Sequence, residues 1–435
     1  MGLSSEGLDS ESRFAAYVEA ITLALGHADR VIPFKSYCAG LLLPGDRKSV
    51  EPMAARVYPG RVQAAHQSLH HFVAKADWSG DAVAAAVRAQ VLPVIQQRGP
   101  IRALIIDDTG MPKKGKHSVG VARQYCGQLG KQDNCQVAVS LSAANDHASL
   151  PIAYRLYLPH EWADDPDRRA RAGVPEEVVF QTKPQIALDQ LRAALAAGID
   201  AEVALADAGY GTDTDFRDGI TQAGLPYVVG IRSSTSLWPP GTEPLPPKQW
   251  SGRGRRTSAI RRDAEHQPIP AKQLALDLPR KAWRRVTWRE GSNTKLASRF
   301  AAVRVRPAHR DYQRSTPRPE EWCLIEWPQG EPEPTKYFLS TLPANISRRE
   351  LVNTTKLRWR IERDYQDLKQ ELGLGHYEGR GWRGFHHHAT LCIAAYGFLI
   401  FERGAIPPSG ERSTLVIEEH PLPEGYRPRG SPDPT

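Results

Sequence analysis

A mixed α/β sheet with helices on its faces is the fold class this sequence predicts, and three observations predict it. Between Ile101 and Arg232, short apolar runs bounded by turn residues take the place of the helical period that precedes them. The runs before Pro159 follow one another directly, as hairpin strands do. Those after Lys183 alternate with amphipathic stretches, as βαβ units do, so the sheet combines antiparallel and parallel pairs.

The elements follow in order. Residues 1–98 read as a helical unit, because "RFAAYVEAITLAL", "VQAAHQSLHHFVAKA" and "DAVAAAVRAQVLPVIQQ" place apolar residues three and four apart, with Ser79 and Asp81 as caps. Gly99-Pro100 marks a boundary. Residues 99–232 form the first part of a core, with strands at "RALIID", "HSVGVARQY", "CQVAVSLSAA" and "LPIAYRLYLP". A helix follows at "KPQIALDQLRAALAAG", a strand at "AEVALAD", a helix at "DTDFRDGITQAG" and a strand at "LPYVVGIR". Residues 233–336 break the rhythm with a Pro-, Gly- and Arg-rich stretch, "LWPPGTEPLPPKQWSGRGRR". The alternating runs "AWRRVTWREG", "SRFAAVRVRPA" and "EEWCLIEW" then read as a basic β-rich insertion. Residues 337–405 return to the core: after "YFLSTLP", Ser347 opens one long helix through "SRRELVNTTKLRWRIERDYQDLKQELGL". Ser347 and Glu350 match a capping box, and Gly373 lies near the helix end. Residues 406–435 read as a flexible Pro-rich tail.

Composition bounds the function. With 435 residues, 40% of them hydrophobic, and 10 Trp, a sizeable core can be buried. No apolar run approaches the roughly 18 residues of a membrane span, and "LCIAAYGFLIF" is too short. The N-terminus lacks the pattern of a secretory signal, and five cysteines without a CxxC pair read as reduced thiols in a cytoplasmic protein. The net charge of +8 is unevenly spread: Arg232 to Arg310 holds 18 Lys and Arg against 5 Asp and Glu, so the rest of the chain is net acidic. That segment also carries Trp238, Trp250, Trp283 and Trp288, a mixture suited to nucleic acid. Arg253, Arg255, Arg256, Arg261 and Arg262 are its candidate phosphate contacts.

"RALIIDDTGMPKKGKHSVGVARQY" approaches a phosphate-binding loop and fails as one. His117 stands where a magnesium-binding hydroxyl is needed, Pro112 removes a backbone donor, and a strand follows where a helix should start. The aspartates carry more. Asp107 and Asp108 end one apolar strand, and Asp207 in "AEVALADAGYG" ends another, so carboxylates arrive together at the C-terminal edge of the sheet. Hard divalent cations take such oxygen ligands, completed by substrate phosphate. A third acid is available on the C-terminal helix. There Arg358, Glu362 and Lys369 fall on one narrow stripe at about 100° per residue. Three histidines at 386–388 point in different directions from a helix and cannot share one ion, and Cys126 and Cys135 lack zinc spacing.

"IIDDTG", "VALADAGYG" and "RWRIERDYQDLKQELGLGHYEGR" resemble the three acidic blocks of the DDE transposases of bacterial insertion sequences. The third block is similar to the branch with the signature Y-x-x-R-x-x-x-E-x-x-x-x-x-x-K: Arg358, Glu362 and Lys369 keep that spacing, and Thr355 replaces the tyrosine. The resemblance spans about Ile101 to Arg403 and implies a ribonuclease-H-like core. The 155 positions between Asp207 and Glu362 would hold that branch's inserted β-rich domain. It also implies a catalytic triad of Asp108, Asp207 and Glu362. Asp108 is chosen over Asp107 because it directly precedes Thr109, although strand alternation alone does not separate the two. The triad would hold two Mg²⁺ ions, with Mn²⁺ able to substitute, for cutting element ends and joining the freed 3′-OH to target DNA. Arg358 and Lys369 would hold DNA phosphates. The implied partners are double-stranded DNA (terminal inverted repeats and target) and a second copy of the chain in a synaptic dimer, with no membrane. A silent DNA-binding regulator and a metal-dependent nuclease are the alternatives.

Overall fold

Strand pairing in this computed structural model follows the expected order; residues 9–253, 258–290 and 295–405 are described. The strands β1 (Ala103–Pro112), β2 (Ala122–Cys126), β3 (Lys131–Ala144) and β4 (Ser149–Leu156) form an antiparallel set. β3 is long enough to carry β1 along one edge and both β2 and β4 along the other. β5 (Val203–Ala206) then lies parallel to β1, and β6 (Tyr227–Ile231) parallel to β5. The central strands are buried on both faces, as the apolar runs "ALII" and "VALA" require. This is the ribonuclease-H-like mixed sheet that the sequence led us to expect.

The basic insertion does not form a separate layer. Its strands are β7 (Ser236–Trp238), β8 (Ile269–Pro270), β9 (Arg284–Glu290), β10 (Lys295–Pro307) and β11 (Glu321–Trp327), followed by β12 (Lys336–Ser340). β12 pairs antiparallel with β6, β11 with β12, and β10 with β11, so one sheet runs from core to insertion in the order β2-β3-β1-β5-β6-β12-β11-β10-β7-β8.

The helices cover both faces. Before β1 lie α1 (Ser10–Thr22), α2 (Val31–Leu42), α3 (Val50–Val57), α4 (Val62–Ala74) and α5 (Gly80–Gln96). Ser79 caps α5 by accepting the Ala82 N–H. After β4 come the short α6 (His160–Ala163) and α7 (Pro166–Ala172), then α8 (Lys183–Ala196), α9 (Ala208–Gly211), α10 (Thr214–Gln222) and α11 (Ala271–Asp277). α12 (Arg348–Lys356), α13 (Trp359–Gln370) and α14 (Trp382–Ala405) close the described chain. α14 is apolar on all sides, which fits burial: it packs against α2, α4, α5 and β4, and the N-terminal helices share one hydrophobic core with the sheet. Among the described residues no helix is long and apolar enough to cross a membrane.

The single long C-terminal helix expected from sequence is two helices. The ladder breaks at Leu357–Arg358, where the Leu357 N–H is shared between the carbonyls of Asn353 and Thr354. The capping box is half made: Ser347 accepts the Glu350 N–H, but the Glu350 carboxylate goes to Arg102 instead of back to Ser347. Gly373 takes a φ of 66°, and a Cβ there would come 2.4 Å from Lys48 Cβ, so glycine is required on both counts. The residues of the expected Pro-rich tail, 406–435, lie outside the described residues.

Candidate active site

Alternation along β1 sends Asp107 and Asp108 to opposite faces of the sheet. Asp107 lies opposite Ser140 on β3, and Asp108 opposite Val139. Tyr365 of α13 donates its hydroxyl to Ser140 Oγ, which puts α13 on the Asp107 face. Gln190 of α8 donates to the Val139 carbonyl, and Lys183, the first residue of α8, reaches Asp108 Oδ2 at 2.8 Å. Two helices therefore claim one aspartate each.

On the Asp107 face the acids converge. The parallel register pairs Ala103 with Val203, Leu104 with Ala204 and Ile105 with Leu205, and two further steps bring Asp107 level with Asp207 on the same side. Asp207 caps the turn after β5: its Oδ1 accepts the N–H groups of Gly209 at 2.9 Å and Tyr210 at 3.4 Å. That turn is pressed onto β6 through glycines. A Cβ on Gly211 would lie 2.1 Å from the Gly230 carbonyl, and one on Gly230 would lie 2.7 Å from the Ala208 nitrogen. Glu362 comes from α13. Between it and Asp107 sits Arg358, with Nη1 2.8 Å from Asp107 Oδ2 and Nη2 2.5 Å from Glu362 Oε1. One guanidinium and two hydrogen bonds thus span the carboxylates, which are no more than about 8 Å apart.

The electrostatics reflect this crowding. Burial raises the Asp107 carboxyl to about 7; Arg358 opposes the rise, while Asp207 and Asp108 add to it. Glu362 is 59% exposed against 18% for Asp107, so the site opens to solvent on the α13 side. Burial lowers the Lys369 ammonium, whose Nζ donates to the Gly110 carbonyl at 2.9 Å. Lys369 therefore lies across β1 three residues beyond Asp107. Thr355 is buried and donates to the Leu351 carbonyl within its own helix.

The arginines of the basic segment divide. Arg253 is exposed, and Arg261 is exposed with its Nε on the Pro246 carbonyl at 3.0 Å. Arg262 is held by buried Asp311 and lies over the Trp238 ring at 5.7 Å, while Trp238 itself donates to Asp311 at 2.7 Å. Trp238 and Asp311 are interior, and Arg262 is an exposed residue tied to them by its side chain. Arg255 and Arg256 lie outside the described residues.

The three adjacent histidines each find a separate partner. His386 accepts the Leu156 N–H, His387 stacks on Trp78 at 3.6 Å, and His388 bonds with the Tyr37 hydroxyl at 2.9 Å. Burial lowers all three to about 4, so they are neutral packing groups at ordinary pH. The five cysteines are free and buried.

Sequence reading missed three residues. Lys183 stands at the start of a helix, where the macrodipole disfavours a cation, and that misplacement was the available signal. Tyr210 is 2% exposed, and its buried hydroxyl has no hydrogen-bond partner. Lys356 binds Glu326 of β11 at 2.7 Å and 2.8 Å and sits 4.3 Å from the Trp288 ring centroid of β9, joining α12 to the insertion. Neither of the last two had a local sequence signal.

A set of carboxylates at the edge of such a sheet, one of them on a helix after a long insertion, defines a class, and the comparison with protein families agrees. Residues 22–295 match the model described as DDE superfamily endonuclease, and the chain belongs to that superfamily. Nucleases of this kind generally use divalent metal ions. Among curated proteins the chain is similar to a probable transposase for insertion sequence element IS701 from Microchaete diplosiphon. The two are 34% identical over 169 residues, which is 39% of this chain and 41% of the relative, so the matched stretch spans less than half of that protein. The family match ends before Glu362, whose assignment to the site rests on the geometry.

The donor set suits a hard divalent cation, since every candidate ligand is a carboxylate oxygen. Among the described residues, however, no three His, Cys, Asp or Glu side chains are gathered to hold an ion as they stand. Arg358 occupies the space between two of them.

Proposed function

We propose that this chain is the DNA transposase of an insertion sequence, cutting element ends and joining the freed 3′-OH to target DNA, with Asp107, Asp207 and Glu362 as its acids. The observation that carries this reading is the convergence of Asp107 and Glu362 on one guanidinium, beside Asp207, in a member of the DDE superfamily. On this reading the first acid is Asp107 in place of Asp108, since Asp108 faces α8 and is paired with Lys183 on the other side of the sheet.

Divalent ions held by these three carboxylates, two Mg²⁺ or Mn²⁺ in the scheme we favour, would supply activation of a water or 3′-hydroxyl and stabilisation of the leaving oxygen. The chain's own residues orient the reactants. The turn capped by Asp207 and locked by Gly211 against Gly230 fixes one carboxylate, and the rigid α13 fixes the other. Arg358 is the group best placed to hold a phosphate, through a two-pronged contact. Lys369, tied to the Gly110 carbonyl, steadies α13 over β1 and offers a point charge beside the same path. Exposed Arg253 and Arg261, with the helices of residues 1–98, would bind DNA along its length, phosphates giving affinity and base edges giving choice of ends. The protein would act as a homodimer on two ends, in the cytoplasm at the nucleoid.

A strand-transfer assay tests the proposal, using the full chain, Mg²⁺ or Mn²⁺, and duplexes carrying the inverted repeats that flank the coding region. Cleaved and joined products are expected, and Glu362→Gln or Asp207→Asn should abolish both while leaving DNA binding nearly intact. Hydrolysed ends that are never joined would make the chain a nuclease. Binding without cleavage would make it a regulator.

A further inference from the structure

We infer that Arg358 is an exchangeable counter-ion that couples metal binding to DNA binding: it neutralises Asp107 and Glu362 in the free protein and leaves them for a DNA phosphate. The inference rests on the transposase reading above and adds a regulation of that same site.

Three features carry it. The guanidinium makes one hydrogen bond to each of two carboxylates from different elements, Asp107 on β1 and Glu362 on α13, so both lose a ligand oxygen to the same cation. Arg358 sits at the junction between α12 and α13 as the residue that precedes α13, so moving its side chain breaks no helical hydrogen bond. Its two partners are unequal. Asp107 is largely enclosed, with Asp207 and Asp108 adding negative charge nearby, whereas Glu362 is mostly exposed. A cation is therefore needed at this spot whenever Asp107 is ionised, and the protein carries its own. A divalent ion that takes these oxygens leaves the guanidinium without a partner, and a phosphate matches its fork as well as a carboxylate does.

Exchange of this kind makes the two ligands mutually reinforcing. DNA that draws Arg358 away raises metal affinity, and by linkage the metal raises DNA affinity by the same factor. It also keeps the protein poorly loaded with metal until DNA is bound.

The experiment titrates the full chain with Mn²⁺, reading free ion by electron paramagnetic resonance, with and without a short duplex of arbitrary sequence at low ionic strength. Wild type should bind Mn²⁺ weakly alone and about tenfold more tightly with duplex. Arg358→Gln should bind Mn²⁺ about tenfold more tightly than wild type without DNA, and the duplex should add little. Arg358→Lys, which keeps the charge but cannot span both carboxylates, should fall between the two and covers the case in which Arg358→Gln does not fold. Equal or weaker Mn²⁺ binding by the folded Arg358 variants, or no effect of the duplex on wild type, overturns the coupling. Mn²⁺ binding that persists unchanged in Asp207→Asn and Glu362→Gln would instead overturn the assignment of the site itself.

Discussion

Asp107 and Asp108 are neighbours in sequence and face opposite sides of the sheet. Asp107 faces α13, shares a guanidinium with Glu362 and lies level with Asp207. Asp108 faces α8 and makes a part-buried pair with Lys183. The difference teaches that adjacent carboxylates at a strand end meet different partners, because each is covered by the helix on its own face of the sheet.

The sharpest way to break this comparison is to neutralise each aspartate in turn. Asp107→Asn should lose at least about a thousandfold in DNA nicking with Mn²⁺, the scale of several kcal/mol of lost charge stabilisation. Asp108→Asn should stay within about tenfold of wild type, because only a partly exposed pair is lost. The reverse ranking would return the first acid to Asp108.

A second test contrasts, within the basic segment, an arginine tied to a buried carboxylate with two that are not. Arg262→Ala removes the cation from the buried Asp311 carboxylate, which keeps the Trp238 N–H, and should cost about 1–2 kcal/mol in urea unfolding. Neutralising exposed Arg253 and Arg261 should leave stability within about 0.5 kcal/mol and flatten the salt dependence of DNA binding by up to about 0.9 log unit per lost phosphate contact. An unchanged slope would remove that stretch from the DNA interface.

The third uses pH. The folded Asp107 carboxyl is raised from 3.8 to about 7, so the native state holds this proton more tightly than the unfolded chain. Its contribution is fully present below pH 3.8 and is lost as pH rises through about 7, a decline of up to about 4 kcal/mol. Denaturant melts at pH 5 and pH 8 should show the decline in wild type and a flatter profile in Asp107→Asn; parallel profiles would mean the carboxyl is ionised throughout. The smallest effect belongs to Tyr210→Phe. Removing a buried hydroxyl that has no partner should raise stability by up to about 1 kcal/mol, and a clear loss would reveal a hydrogen bond formed in solution.

Much of this was legible in the sequence, for identifiable reasons. The short apolar runs Ala103–Ile106 and Val203–Ala206 read as interior strands, and both ended on acids, so the site edge was visible before any pairing was known. Arg358, Glu362 and Lys369 share a stripe, and they meet β1 at Asp107 and Gly110. What could not be read was which face of β1 met that stripe, since period-2 alternation fixes relative directions and only the packing of α8 and α13 fixes absolute ones. Charge was equally ambiguous in the insertion: Arg262 looked like its neighbours until Asp311, 49 residues away, proved to hold it. The helix break at Leu357 was hidden because "NTTKLRWR" contains neither Gly nor Pro.

The pairing of β12 with β6 has a practical corollary for anyone who would shorten this protein. Cutting out the segment from β7 to β11 would strip the outer edge of β12, leaving a row of unclaimed backbone donors and acceptors bordered by Tyr337 and Leu339. Such a miniature would be expected to stick to copies of itself, so any reduced form must replace a length of sheet and cannot simply close a loop.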